Sequence, residues 1–504
     1  MTPPGVSPFA ERIREVLTLD PSADAIVFEG ESFPWSYVAA AVHGLDDALT
    51  GADEGFGASV GLIMRNRPPH LAALAATIVS GRCLVTLSAM FSDTALCNDI
   101  ERLGLHAVVG DAQDLARPGV MLAASSTGAA VIEVGSERHE PVRQVQAASS
   151  ARDARRRPGI VLEMLSSGTT GTPKRIPLSY DVLQSSLVGG DAHSKSVGTE
   201  ELRLQSRPAL VWHPVVHISG AYFVIDALYS GRKIVLLERF DARTWADLVE
   251  REGVRVGHLN PTAMRMVLEA DISPAQLKSL KVVRGGTSAT PPELQMAFED
   301  RYGVPVLTTY GATEFAGAIV GWSPDDHRTF GRSRLGASGR AHRGVELRTV
   351  DGDTGEVLAP GEQGVLEVRS AQASFDSSGW VRTSDLVVID DEGFLWVKGR
   401  VDDVIVRGGF KIDPSKVAAA LQEHDDVREA AVVGLTDERL GQVPVAAVTL
   451  REGIDHLDLK ELFDFARARL TPYEVPRDIV VVEALPLTPS MKVSQPALRA
   501  LFSN

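Results

Sequence analysis

Between Ser166 and Thr172 five hydroxyl side chains (Ser166, Ser167, Thr169, Thr170 and Thr172) are interleaved with two glycines, Gly168 and Gly171, and Lys174 follows two positions later. Glycines let backbone N–H groups come close to an anion. Hydroxyls donate to phosphate oxygens, and a lysine ammonium neutralises charge without imposing a fixed geometry. The chemistry is that of a loop that holds a polyphosphate. It is not the G-x-x-x-x-G-K-[ST] pattern, because Gly171 is followed by Thr172-Pro173-Lys174. Two more polar stretches close apolar runs: Gly285-Gly286-Thr287-Ser288 after Lys281 to Arg284, and Thr309-Tyr310-Gly311-Ala312-Thr313-Glu314 after Val304 to Thr308. Open α/β sheets bind ligands beyond the carboxyl ends of their strands, where both stretches fall. Glu314 offers a hard oxygen suited to a divalent cation beside phosphate. Taken alone, it is better explained as a carboxylate capping a helix. His217, in Pro214-Val215-Val216-His217-Ile218-Ser219-Gly220, has apolar neighbours that leave both a core and a pocket role open.

These residues need elements to hold them. Apolar runs at Ala25–Phe28, Ser59–Met64, Cys83–Leu87, Ala107–Val109, Gly159–Met164 and Lys233–Leu237 read as strands. They alternate with helical patterns at 9–17, 72–79, 221–228 and 245–251, and with a helix opened by Pro291. That alternation predicts α/β layers with largely parallel strands. Residues 111–158 are poor in periodicity and are expected to be a weakly structured connection with one strand at Ala130–Ile132. The basic run Arg152 to Arg157 is expected to be a solvated turn. From residue 345 the pattern shifts to half-exposed strands, with a hairpin at Asp390-Asp391-Glu392-Gly393. The last hundred residues alternate β and α. The fold class expected is α/β: a large N-terminal domain of α/β layers with a small β subdomain, and a small mobile α+β C-terminal domain.

The bulk properties narrow the partners. The chain has 504 residues, 44 % of them hydrophobic and 23 % charged, which exceeds what one compact domain needs. A net charge of −15 provides no basic field for nucleic acid. Cys83 and Cys97 are too few for a disulfide framework, and a reducing cytoplasm is the expected location. The start Met1-Thr2-Pro3-Pro4 has no basic and apolar leader pattern. No apolar run reaches the roughly 20 residues that span a bilayer.

The order Ser-Ser-Gly-Thr-Thr-Gly-Thr-Pro-Lys from Ser166 to Lys174 resembles the phosphate loop of the acyl-adenylate-forming superfamily. That superfamily holds acyl- and aryl-CoA synthetases, adenylation domains of peptide synthetases and firefly luciferase. Further matches follow in the same order: Tyr310-Gly311-Ala312-Thr313-Glu314, Trp380-Val381-Arg382-Thr383-Ser384-Asp385, Gly399-Arg400-Val401-Asp402, Gly408-Gly409 and Leu485-Pro486-Leu487-Thr488-Pro489-Ser490-Met491-Lys492. The resemblance implies that ATP is held by the 166–174 loop, Gly286, Thr287, Ser288, Tyr310 on the adenine, Gly311, Thr313, and Asp385 and Arg400 on the ribose. It implies catalytic roles for Lys492, Glu314, Thr170 and Lys174, with Mg²⁺ on Glu314. Val216, His217, Gly285, Gly311 and Ala316 would line the acyl pocket, and Gly408-Gly409 the thiol channel. Asp402 would be the hinge, dividing an adenylation domain at 1–400 (β subdomain about 340–400) from a lid domain at 401–504.

Four departures from the family pattern stand out. Arg175-Ile176 replace Gly-Val after the lysine, Ser384 and Met491 each replace a glycine, and Ser370 to Gly379 stand in for a longer segment. The activity implied is ATP-dependent acyl-CoA synthesis from a hydrophobic carboxylic acid, with ATP, Mg²⁺ and coenzyme A. The alternatives are an acyl-AMP ligase that loads a carrier-protein phosphopantetheine, an oxygenase of luciferase type, a nucleotide-binding regulator without turnover, and an enzyme of one half-reaction. A homodimer is left open.

Overall fold

Ser59–Met64 and Cys83–Ser88 are buried along their whole lengths. Unbroken apolar runs of this kind form the middle of parallel sheets, whose two faces are both covered. Here they sit in a seven-stranded sheet in the order Val142–Gln146, Ala130–Val134, Ala107–Gly110, Ser59–Met64, Cys83–Ser88, Ile160–Leu165, Arg175–Ser179. The inner pairs are parallel and the two outermost are antiparallel. The helix Pro68–Val79, all twelve of whose residues are buried, packs in the main core with the helices Pro8–Leu19 and Trp35–Thr50.

This is a computed structural model, and it describes residues 7–50, 55–149, 154–165, 174–194, 202–373, 379–408, 410–488 and 491–502. The chain forms two compact units. One holds the described residues of Met1–Ser166, Pro173–Val345 and Ser370–Ser377, and the other those of Glu346–Arg369 and Ser378–Asn504. The first unit carries two further sheets. In one, Val256–Leu259, Val282–Gly285 and Val306–Ala312 are parallel, and Gly317–Gly321 and Arg340–Ala341 continue it antiparallel. The other orders Gln205–Val211, Arg232–Leu236, Asp24–Phe28 and Glu31–Pro34. The second unit has a sheet in the order Val345–Val350, Gln363–Ser370, Val381–Ile389 and Leu395–Arg400, the last three pairing antiparallel. It has a second sheet built on the long hairpin Val427–Asp437/Gly441–Leu450, with the helices Pro414–Gln422 and Leu459–Arg469. Among the described residues no helix is long and apolar enough to cross a membrane.

Three local expectations change. The 111–158 connection is structured where described: short helices at Ala112–Leu115 and Val120–Ser126 precede strands Ala130–Val134 and Val142–Gln146. Helices of four and seven residues are too short to show a 3.6-residue period. In the basic run, Arg157 is not a solvated turn residue, because it pairs with the largely buried Glu163. The apolar helix expected at Ala221 begins at Ile218.

Candidate active site

The phosphate-loop residues Ser166, Ser167, Gly168, Thr169, Thr170, Gly171 and Thr172 lie outside the described residues, as does Gly409. Lys174 is described and exposed, just before the edge strand Arg175–Ser179.

In the first unit, Gly285, Tyr310 and Glu314 gather at the carboxyl ends of neighbouring parallel strands. The Thr309–Glu314 stretch is less of a loop than its composition predicts. The strand runs on through Ala312 and pairs antiparallel with Gly317–Gly321, leaving Thr313–Phe315 as one 3₁₀ turn. Gly311 makes this possible, because a Cβ there would lie 2.0 Å from the Gly317 carbonyl oxygen. Ala316 closes the turn at φ +52°, in the left-handed region. Two buried polar groups pin the corner. The Ser186 hydroxyl donates to the Ala316 carbonyl (3.0 Å), and the Gln372 amide donates to the carbonyls of Phe315 and Ala318 (3.3 Å each). Glu314 is left exposed at the tip, while Tyr310 is buried. Thr287 has φ +67°, and its buried hydroxyl has no hydrogen-bond partner among the described residues. A non-glycine residue in this backbone region stores strain, and such residues cluster at functional sites. Gly286 and Thr313 are half-buried, and Ser288 is exposed.

Val216 and His217 stand at the start of the helix Ile218–Ser230, with His217 at the N-cap. A Cβ on Gly220 would lie 2.4 Å from the Pro214 carbonyl oxygen, so this first helical turn can close over the proline turn only with glycine there. Asn66, 4 % exposed, holds the same turn from beneath. Its amide donates to the carbonyls of Trp212 (3.1 Å), His213 (3.0 Å) and Leu237 (3.1 Å), and its oxygen accepts from the Val215 N–H (2.9 Å). Neither Asn66 nor Gln372 carries a sequence signal of its role.

In the second unit, Asp385 and Arg400 are directly opposite on antiparallel strands. The Asp385 N–H donates to the Thr383 hydroxyl (3.1 Å). Ser384, where the family pattern has glycine, accepts from the Arg400 guanidinium at 2.6 Å and so orients it. Lys492 lies close enough to both that their charges act on it. Burial, and then Arg400, lower its ammonium below the ordinary lysine range, while Asp385 acts in the opposite sense. The loop that delivers Lys492 is tight: the Met491 N–H donates to the Thr488 carbonyl (2.8 Å), the Thr488 N–H to the Lys492 carbonyl (2.6 Å), and Leu487 bridges Val493. Met491 has φ +60°. Gly408 also lies in the left-handed region, and its N–H donates to the Leu440 carbonyl (2.7 Å). Asp402 lies in the 3₁₀ turn Val401–Asp403.

The sequence matches the family of AMP-binding enzymes over residues 13–374 and the C-terminal domain of those enzymes over 416–492. The chain belongs to that family, the acyl-adenylate-forming enzymes of CoA-synthetase type. Among its relatives are indoleacetate–CoA ligase of Aromatoleum aromaticum, 33 % identical over 67 % of this chain and 66 % of its own length, and 2-succinylbenzoate–CoA ligase of Listeria innocua, 30 % identical over 68 % and 70 %. The o-succinylbenzoate CoA synthetase of Bacillus subtilis, solved with ATP and magnesium, superposes with a TM-score of 0.78 at 25 % identity over 97 % of this chain and 99 % of its own. The amide bond synthetase McbA of Marinactinospora thermotolerans gives 0.80 at 26 %, over 98 % and 100 %.

Proposed function

We propose that the chain activates a carboxylic acid with ATP and passes the acyl group to coenzyme A. The acid's carboxylate oxygen attacks the α-phosphorus, forming acyl-AMP and releasing pyrophosphate. The CoA sulfur then attacks the acyl carbon, its proton is lost to solvent, and AMP leaves. No side-chain nucleophile is needed, and the protein's work is positioning and charge neutralisation. In this reading Lys174, Thr313 and the residues Ser166 to Thr172 bind phosphate, and Asp385 and Arg400 hold the ribose. Gly286, Thr287, Ser288, Tyr310 and Gly311 take the base side. Lys492 meets the charge that develops on phosphate. Glu314 fits Mg²⁺, because that ion asks for one or two carboxylate oxygens beside substrate phosphates and an exposed carboxylate beyond a strand end supplies one. Val216, His217, Gly285, Gly311 and Ala316 belong to the acyl side and Gly408-Gly409 to the thiol side. The domains are 1–400 and 401–504 with the hinge at Asp402, and a homodimer is the assembly to check by light scattering.

One observation supports the reading most: Asp385, Arg400 and Lys492, brought from three motifs, fall within reach of one another in one unit. The test is acid-dependent exchange of pyrophosphate into ATP, followed by CoA-dependent thioester formation, over a panel of acids. Glu314→Gln, which keeps shape and removes charge, is expected to cut exchange about 100-fold or more at saturating Mg²⁺. Exchange at wild-type level across all Mg²⁺ concentrations would take Glu314 out of the metal site. Exchange without thioester would favour a carrier-protein acceptor or a single half-reaction.

A further inference from the structure

In the seven-stranded sheet the parallel strands Ser59–Met64 and Ala107–Gly110 lie side by side. The chain passes from the first to Cys83–Ser88 on one side of it, then returns to Ala107–Gly110 on the other. Strand order therefore reverses between these two strands, and a crevice opens beyond their carboxyl ends, the place where such sheets take ligands. Arg65 and Arg67 follow the first strand, and His70 stands in the first turn of the helix Pro68–Val79. Asp111 and Asp114 follow the second strand. A cavity of about 470 Å³ adjoins them, with Arg67, Pro68, Pro69, Asp111 and Gln113 among its lining residues.

His70 is fully buried, and neither of its ring nitrogens has a hydrogen-bond partner among the described residues. A buried polar atom left in this way calls for a water or an ion. Its Nε2 is 3.7 Å from Asp114 Oδ2 and 3.9 Å from Asp111 Oδ2, too far for a hydrogen bond to either. One donor atom from each of the three residues lies within 4.8 Å of the others. A tetrahedral zinc ion with bonds of about 2.0–2.2 Å holds its ligand atoms about 3.4 Å apart, so both histidine-to-carboxylate gaps are within about 0.5 Å of that spacing.

The carboxylates are held from their outer sides. Asp111 Oδ1 accepts from the Asp114 N–H (2.8 Å), and Asp111 Oδ2 accepts from Arg67 (3.1 Å). Arg65 donates to both oxygens of Asp114 (2.8 and 2.7 Å). Each carboxylate oxygen keeps a second lone pair, and carboxylates that bind metals are ordinarily hydrogen-bonded in turn. The guanidiniums are themselves matched: Arg67 also pairs with Glu238, and Arg117, 4.0 Å from Asp114, pairs with Asp93. Three guanidiniums thus meet four carboxylates, which leaves the cluster one negative charge for a cation.

We propose that His70, Asp111 and Asp114 form a site for a divalent transition metal, Zn²⁺ by its chemistry, separate from the Mg²⁺ that the ligase reading gives to Glu314. One imidazole with two carboxylates suits Zn²⁺, whereas Mg²⁺ takes oxygen ligands. Bound there, the ion ties the first turn of the helix Pro68–Val79 to the segment that follows Ala107–Gly110, and steadies the stretch between Arg65 and Arg67 that carries Asn66. The site does not depend on the ligase reading.

The experiment strips the full chain with EDTA and titrates it with Zn²⁺ alone, in competition with a chromophoric chelator. Co²⁺ alone is the spectroscopic probe. Wild type is expected to take up one Zn²⁺ that millimolar Mg²⁺ does not displace, to melt at a higher temperature with it, and to show visible d–d absorption with Co²⁺. Asp111→Asn keeps the helix cap and should weaken Zn²⁺ binding about 10-fold or more. His70→Gln should weaken it about 100-fold. Circular dichroism checks the folding of both variants, and Asp111→Asn decides the matter if the buried His70→Gln change unfolds the chain. The proposal is overturned if wild type binds neither Zn²⁺ nor Co²⁺, or if a folded variant binds them like wild type, which would place the ion on other side chains. It is also overturned if Mg²⁺ displaces the ion at equal concentration, which would mean that no imidazole holds it.

Discussion

Met491 occupies a left-handed backbone position at φ +60° where the family pattern has glycine. Such a conformation costs a side-chain-bearing residue on the order of 1 kcal/mol, and a β-branched one more. Replacement by glycine relieves that strain but frees the unfolded chain. Met491→Gly should therefore be neutral or stabilising by up to about 1 kcal/mol, and Met491→Val destabilising by about 2 kcal/mol, read from urea midpoints. Equal midpoints for the two variants would mean that the loop relaxes into another conformation. The neighbour Lys492 makes a second claim. Its ammonium is lowered by burial and by Arg400, and the protonated form is the one that meets phosphate. The alkaline limb of pyrophosphate exchange should thus fall below the ordinary lysine value of about 10.4. Lys492→Arg, charged at any working pH, should lose that limb in whatever activity it retains. A limb at or above the ordinary value would separate Lys492 from the observed ionisation. At this scale the sequence singles out Asp385, Arg400 and Lys492 one by one through the family pattern, and the structure brings the three near one another. Ser384 reads only as a departure there, and its use in orienting Arg400 appears with the coordinates.

Elements position the site through polar groups that have no local signature. Asn66 is the clearest case. It ties the turn Trp212–Val215 and Leu237 with four hydrogen bonds, one of them to a residue 149 positions away. Asn66→Ala would leave three carbonyls and one N–H buried and unmatched, at about 1–3 kcal/mol each before relaxation or water entry. A loss of about 3 kcal/mol or more in unfolding free energy is expected, together with a raised KM for the acid and a smaller change for ATP. That turn leads into the helix bearing His217, Tyr222 and Phe223. A loss below about 1 kcal/mol would show that water replaces the amide. The same reasoning explains what composition and periodicity leave unread. Strongly patterned elements such as Ser59–Met64 and Cys83–Ser88 appear in the sequence close to their observed bounds. The short helices of 111–158 do not, and neither does Gln372, because its meaning depends on partners distant in sequence.

At the scale of the whole molecule, the ligase reading asks one C-terminal region to serve two chemistries in turn. Lys492 lies in the loop closed by the Leu487–Val493 bridge, and Gly408 in the hairpin of Ile405–Arg407 and Phe410–Ile412. These are different loops, and the reading gives the first to adenylate formation and the second to the thiol step. The proposed hinge at Asp402 would exchange them, since hinges concentrate a φ/ψ change in a few residues. Proline there fixes φ near −65° and removes a donor. Lys492→Ala should reduce acid-dependent pyrophosphate release about 100-fold or more while leaving CoA-dependent consumption of added acyl-AMP within about threefold. Asp402→Pro should do the reverse, keeping pyrophosphate release and slowing the thiol step by at least about tenfold. The two half-reactions are assayed separately on the same preparations, with thermal melting to confirm that each variant is folded. If both variants lose both half-reactions equally, the exchange about Asp402 is wrong for this enzyme. If wild type itself performs only the first, the strained Met491 turn and the short 370–379 segment are the places to restore toward the family pattern, beginning with Met491→Gly.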